Sequence, residues 1–127
     1  METLRFLVVD DEERFRNNLV KLLTAKGMQA RGAANAEAAL DALRQEAADV
    51  ILLDVRMPGK DGVAALPELK ALAPQADGVV LTGHASVDDA VELLARGASE
   101  YMVKPCAIDD ILGTVAVVRD RRGAGRA

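Results

Sequence analysis

The chain has 127 residues, half of them hydrophobic, with 16 basic against 20 acidic side chains and a net charge of −4. That length fits one domain with one core, and the hydrophobic content excludes a chain too polar to fold. The charge disfavours general attraction to nucleic acid or to acidic membranes, and no apolar run approaches the ~20 residues needed to span a bilayer.

Short apolar runs alternate with amphipathic stretches along the chain. Leu4 to Val9 reads as a first strand, and the acidic Asp10, Asp11, Glu12 and Glu13 that follow it exclude a signal peptide. Phe15, Leu19, Leu22 and Leu23 then recur at helical spacing until Lys26-Gly27 supplies a stop. A weaker strand lies near Met28 to Ala33. Asn35 is placed to cap a second helix whose Ala36, Leu40, Leu43 and Ala47 share a face. Val50 to Leu53 is the third strand. Pro67 is comfortable only in a first helical turn, so the regular part of the third helix is expected to start near Leu66. Gly78 to Leu81 is the fourth strand. Ser86 and Asp89 resemble a capping box, Val87, Ala90, Val91 and Leu94 form the expected buried stripe, and Arg96-Gly97 ends helix four. Tyr101 to Val103 is the fifth strand. A last helix runs from about Ala107 to Asp120 on a stripe of Ile108, Ile111, Leu112, Val115 and Val118. Residues 1–120 thus read as one domain, and residues 121–127, small and basic, as a flexible tail or the start of a linker.

Five strand-then-helix repeats imply a doubly wound parallel sheet with helices on both faces, because right-handed crossovers place each helix over the sheet. Ligands of such α/β sheets bind beyond the carboxyl ends of the strands. Asp10 and Asp11 follow strand one, Asp54 closes strand three, Thr82 closes strand four and Lys104 follows strand five. Any one of these has an ordinary explanation as a turn residue or a solvated strand end. Together they put three carboxylates on one rim, where their repulsion calls for a cation; Mg²⁺ prefers oxygen ligands and joins carboxylates to a phosphoryl group. A carboxylate nucleophile, a bridging metal, a hydroxyl and an ammonium are the parts that phosphoryl transfer requires.

The segments "VVDDEE", "ILLDVRMPGKDG", "VVLTGHAS" and "YMVKP", in that order, resemble those of bacterial response regulator receiver domains over residues 4 to about 118. The resemblance implies a flavodoxin-like (βα)5 fold with strand order 2-1-3-4-5, and a phosphoacceptor that takes its phosphoryl group on Asp54 and catalyses its own phosphotransfer and dephosphorylation. It implies Mg²⁺ ligation by Asp11, Asp54 and the backbone carbonyl of Arg56, with Asp10 acting largely through water. It further implies that Thr82 and Lys104 grip the phosphoryl group and that Lys104-Pro105 is cis. The segments Met57-Pro58-Gly59 and Asp61-Gly62 would shape the loop after strand three. Thr82 and Tyr101 would be the moving pair of a switch on the surface of helix four, strand five and helix five. Arg56 and His84 occupy places that influence how fast the phosphoryl group is lost; as the only histidine, His84 otherwise reads as a surface residue. The implied partner is a sensor histidine kinase or a histidine phosphotransfer protein, with a homodimer formed on phosphorylation as a further expectation. Direct nucleic-acid binding by this domain and membrane association are not expected.

The lone Cys106 excludes an intramolecular disulfide, fits a cytoplasmic protein, and reads as structural, since nothing around it marks a reactive thiol. Three rival readings stay open. An Mg²⁺-dependent aspartyl phosphohydrolase would use the same chemistry, but Arg56 stands two residues after Asp54, where the haloacid dehalogenase family usually has an acid. A flavodoxin would need a first loop that cradles phosphate, which Asp10 to Glu13 would repel. A degenerate receiver would lack part of the acidic set. The output is not legible: no helix-turn-helix or second catalytic segment follows Asp120, so a stand-alone regulator and a receiver from a longer protein are both expectations, and the segment "TGHASVDDAV" resembles receivers attached to transcription activators or sensor kinases.

Overall fold

The computed structural model describes residues 3–54, 62–83 and 87–124. Its elements alternate throughout: β1 (Arg5–Val9), α1 (Glu13–Ala25), β2 (Gln29–Ala33), α2 (Ala36–Gln45), β3 (Val50–Asp54), α3 (Gly62–Leu72), β4 (Asp77–Thr82), α4 (Val87–Ala95), β5 (Glu100–Val103) and α5 (Ile108–Ala124). The five strands are parallel and lie in the order 2-1-3-4-5, the doubly wound arrangement expected. Alternate side chains serve opposite faces. Leu7, Val9, Ile51, Leu53 and Val80 pack with Ala36, Ala39 and Leu43 of α2, Ala65, Leu66 and Leu69 of α3 and Leu93 of α4. Phe6, Val8, Val50, Leu52, Val79 and Leu81 pack with Leu19 and Leu23 of α1 and Ile111, Leu112 and Val115 of α5. The central strands are buried on both faces, which is why they read as continuous apolar runs.

Local signals set several boundaries as expected. The Asn35 side chain accepts from the Ala38 amide at 2.8 Å, an N-cap of α2. Gly27 and Gly97 follow α1 and α4 with φ of 87° and 110°, a left-handed turn that glycine adopts without steric cost. The Lys104-Pro105 bond is cis.

Elsewhere packing overrides pattern. The α3 helix starts at Gly62, so Pro67 lies inside it and not in its first turn. The Pro67 ring is exposed, and the complete burial of Ala65, Leu66 and Leu69 against the sheet offsets the one lost backbone donor. In α2 the face turns on Ala36, Ala39 and Leu43; Ala47 lies beyond the helix, exposed, and Ala48 is buried instead. Leu22 of α1 is 41% exposed, while its neighbour Leu23 fills the core. Among the described side chains of α4, Leu93 is buried, and Val91 and Leu94, expected inside, face solvent at 62% and 47% exposure. The α5 helix continues to Ala124, four residues past Asp120, because adding a residue to an existing helix costs far less than starting one.

The amino ends of the strands are held by charge, a feature the sequence reading missed. The Arg119 Nη1 donates to Asp77 Oδ2 and to the Asp49 carbonyl, each at 3.2 Å, tying α5 to β3 and β4. Ser99 Oγ donates to the same Asp77 carboxylate at 3.2 Å, and the Asp77 side chain is 3% exposed. Asp49 Oδ2 accepts from the Arg5 amide at 2.8 Å and from Arg5 Nε at 3.2 Å. The Arg5 side-chain hydrogen bond, aided by its amide and charge, outweighs partial burial and holds the Asp49 carboxyl below its ordinary value of 3.8. A depressed folded-state pKa adds stability that is fully present above 3.8 and disappears as pH falls through the folded value. Thermal melts of wild type and Asp49→Asn should therefore differ at pH 6, with the wild type higher, and converge as the pH falls from 3.8 through the lowered folded-state value.

Candidate functional site

Because all five strands run the same way, the residues that follow them meet at one edge. The register sets Val9 beside Leu53, so Asp10 and Asp54, each next in the chain, come level. Asp54 itself pairs with Leu81, and Thr82 pairs with Val103, whose successor is Lys104. Two hydrogen bonds carry the ladder on to this edge: the Asp10 amide to the Ala33 carbonyl at 3.1 Å and the Lys104 amide to the Thr82 carbonyl at 2.7 Å. The structure thus brings together Asp10, Asp11, Asp54, Thr82 and Lys104, which the sequence singled out from separate segments.

Carboxylate oxygens of Asp10, Asp11 and Asp54 lie within 4.8 Å of one another. Their environments differ. The Asp10 side chain is 3% exposed, and both its oxygens are engaged: Oδ1 accepts from the Glu12 amide and Oδ2 from Lys104 Nζ, each at 2.9 Å. Asp11 is exposed. The Asp54 side chain is 11% exposed, and its Oδ1 lies 3.9 Å from Lys104 Nζ, within ion-pair range but beyond a hydrogen bond. Thr82 is buried at 3% exposure, on the strand next to Asp54. Tyr101 is half-buried against the α2–α3–α4 side of the core.

Of the described side chains that converge here, three are carboxylates and one is an ammonium. Two like charges 4.8 Å apart repel by roughly 3 kcal/mol at an effective dielectric near 20. An all-oxygen, acid-rich donor set of this kind fits a hard divalent cation and offers nothing to a softer metal.

Two neighbours were not legible as site residues. Arg16 sends Nη1 to the Asp10 carbonyl at 2.9 Å and passes over Gly32, where an added Cβ would sit 2.9 Å from the Arg16 Cδ. That glycine in an otherwise ordinary strand was the available signal for a close approach. The Phe15 ring lies under Lys104 Nζ, 4.1 Å from its centroid. Cys106 donates its thiol to the Val103 carbonyl at 3.0 Å, and burial, with Asp110 adding to it, pushes the thiol pKa up, as suits a structural cysteine. Arg56, Met57-Pro58-Gly59, Asp61, His84 and the Ser86 start of the expected capping box lie outside the described residues. Among the described residues no helix is long and apolar enough to cross a membrane.

Comparison with known proteins agrees with this geometry. The family model for the response regulator receiver domain matches residues 6–116. The transcriptional regulatory protein ZraR of Escherichia coli (strain K12) is 37% identical over 114 residues, which are 90% of this chain and 26% of that protein. The DNA-binding transcriptional regulator NtrC of Klebsiella pneumoniae is 36% identical over 108 residues, 85% of this chain and 23% of its own. The chain therefore spans about a quarter of the length of these curated relatives. Among solved structures, a response regulator from Burkholderia pseudomallei with a phosphorylated aspartic acid, a calcium ion and citrate is 30% identical at a TM-score of 0.84, covering 98% of this chain and 75% of that one. A CheY-like receiver domain protein from Methanospirillum hungatei JF-1 is 27% identical at a TM-score of 0.88, covering 98% and 99%. A family model that spans most of the chain, joined to a shared fold and an acidic strand-end site, shows that this chain belongs to the response regulator receiver domain family.

Proposed function

We propose that this receiver accepts a phosphoryl group on Asp54, from a histidine kinase or a histidine phosphotransfer protein, in a reaction that needs Mg²⁺. The observation that carries the proposal is the trio of carboxylates within 4.8 Å, with Lys104 between Asp10 and Asp54. An Asp54 oxygen would form the new bond to phosphorus as the bond to the donor's imidazole nitrogen breaks, leaving an acyl phosphate. Thr82 would donate its hydroxyl, and Lys104 its ammonium, to phosphoryl oxygens. Mg²⁺ held by Asp11, Asp54 and the Arg56 carbonyl, with Asp10 acting through water, would offset charge between nucleophile and phosphoryl group. The bound phosphoryl aspartate and calcium ion of the Burkholderia protein support the same chemistry here. The names of the curated relatives support transcription control as the process served, and residues 1–120 would be the receiver unit.

Incubation with acetyl phosphate and Mg²⁺ should add one acid-labile phosphoryl group by intact mass, and Asp54→Asn or chelation should abolish it. Labelling of Asp54→Asn at the wild-type rate would end the assignment; multiple turnover would point to a hydrolase.

The same geometry orders the metal ligands. Because protein donors already hold both Asp10 oxygens while Asp11 is exposed, Asp11→Ala should weaken Mg²⁺ binding by about tenfold or more, and Asp10→Ala by less. Calorimetric titration reads the order, and equal affinities would count against it.

Phosphorylation would act by favouring one of two states of the surface built from α4, β5 and α5, with Thr82 and Tyr101 as the moving pair. A phosphoryl group shifts an equilibrium only by contacting one state better than the other, and Thr82 and Lys104 are the groups placed to make that difference. Support comes from the exposed Val91 and Leu94 of α4, Val103 of β5 and Val117 of α5, apolar side chains suited to a target or to a second copy of the chain. Backbone amide shifts on adding beryllofluoride should reach α4 and β5 in wild type and shrink in Thr82→Ala. Shifts that stay beside Asp54, or persist undiminished in the variant, would refute the switch.

A further inference from the structure

We infer that Phe15 is a positioning residue for Lys104, its ring face holding the ammonium beside Asp54; the inference rests on Asp54 being the phosphoacceptor. A lysine ammonium sits on a flexible four-carbon stem and carries three rotatable donors, so it stays at one point only if several sides hold it. Among the described residues three groups meet it. Asp10 Oδ2 accepts at 2.9 Å, Asp54 Oδ1 stands off at 3.9 Å, and the Phe15 centroid lies 4.1 Å away, well inside the ~6 Å range of cation–π attraction.

The ring is braced by packing. Phe15 lies in the first turn of α1 and packs, half-buried, on the α1–α5 side of the core. The Lys104 side chain is only 20% exposed, so the attraction acts on a partly desolvated charge, where it is stronger than at an open surface. Asp10 alone would draw the ammonium away from Asp54, because the two carboxylates compete for it and Asp10 holds the shorter bond. The ring adds a third attraction, and the ammonium lies within ion-pair distance of both acids. Phe15 touches no reacting atom in this arrangement and works through Lys104.

The test uses the full chain with Phe15→Leu, which removes the π face, and Phe15→Tyr, which keeps it; Phe15→Met, flexible enough to refill the gap, replaces the leucine variant if that one melts below assay temperature. In wild type and Phe15→Tyr, the ring current should shift the Lys104 ε-methylene protons upfield by NMR, and the shift should vanish in Phe15→Leu. The rate of Asp54 phosphorylation by acetyl phosphate with Mg²⁺, followed by intact mass, should fall about three- to tenfold in Phe15→Leu and return in Phe15→Tyr. An unshifted Lys104 in wild type, an undiminished rate in a folded Phe15→Leu, or a Phe15→Tyr as slow as the leucine variant would overturn the inference. A wild-type chain that takes no phosphoryl group would overturn the phosphoacceptor assignment together with it, whereas a labelled wild type with an unaffected leucine variant overturns the inference alone.

Discussion

A carboxylate with almost no exposure has lost most of its water contacts, and at Asp10 the Lys104 ammonium at 2.9 Å and the Glu12 amide take their place. The contact joins residues 94 apart in sequence and so closes the sheet's active edge across β1, β3, β4 and β5. It also leaves Lys104 short of a hydrogen bond to Asp54, near enough to answer a new charge there. Attraction that is present but incomplete is what a site needs if added phosphoryl oxygens are to change its contacts.

The two ends of the sheet divide the work. At the amino end, Arg119, Asp77, Ser99, Asp49 and Arg5 form complementary pairs with donors and acceptors matched, and they bind α5 to the strands beneath it. At the carboxyl end, among the described residues, three carboxylates converge on one ammonium. One end is arranged to be permanent; the other carries charge that a cation would relieve.

The α4 helix fits that division. Among its described side chains Leu93 is buried in the core, while Val91 and Leu94 face outward. The exposed Val103 and Val117 continue the same apolar character onto β5 and α5.

The order of strands and helices, the parallel sheet and the residues at its carboxyl edge were legible from sequence alone. Each depends on local chemistry: an apolar run long enough for a buried strand, a polar residue ending it, a cap such as Asn35 or a stop such as Gly27. Tertiary structure decided what local chemistry leaves open. Helical periodicity cannot choose between Leu22 and Leu23, or between Leu93 and Leu94, because neighbouring residues lie at the two edges of one stripe and only the sheet beneath selects one. Pro67 looks like a helix start until the burial of Leu66 and Leu69 outweighs its missing donor. Phe15 reads as one more core residue of α1, and Arg119 as one more solvated charge of α5. Their roles depend on partners many residues distant, Lys104 for one and Asp77 for the other, and such pairings exist only once the chain has folded.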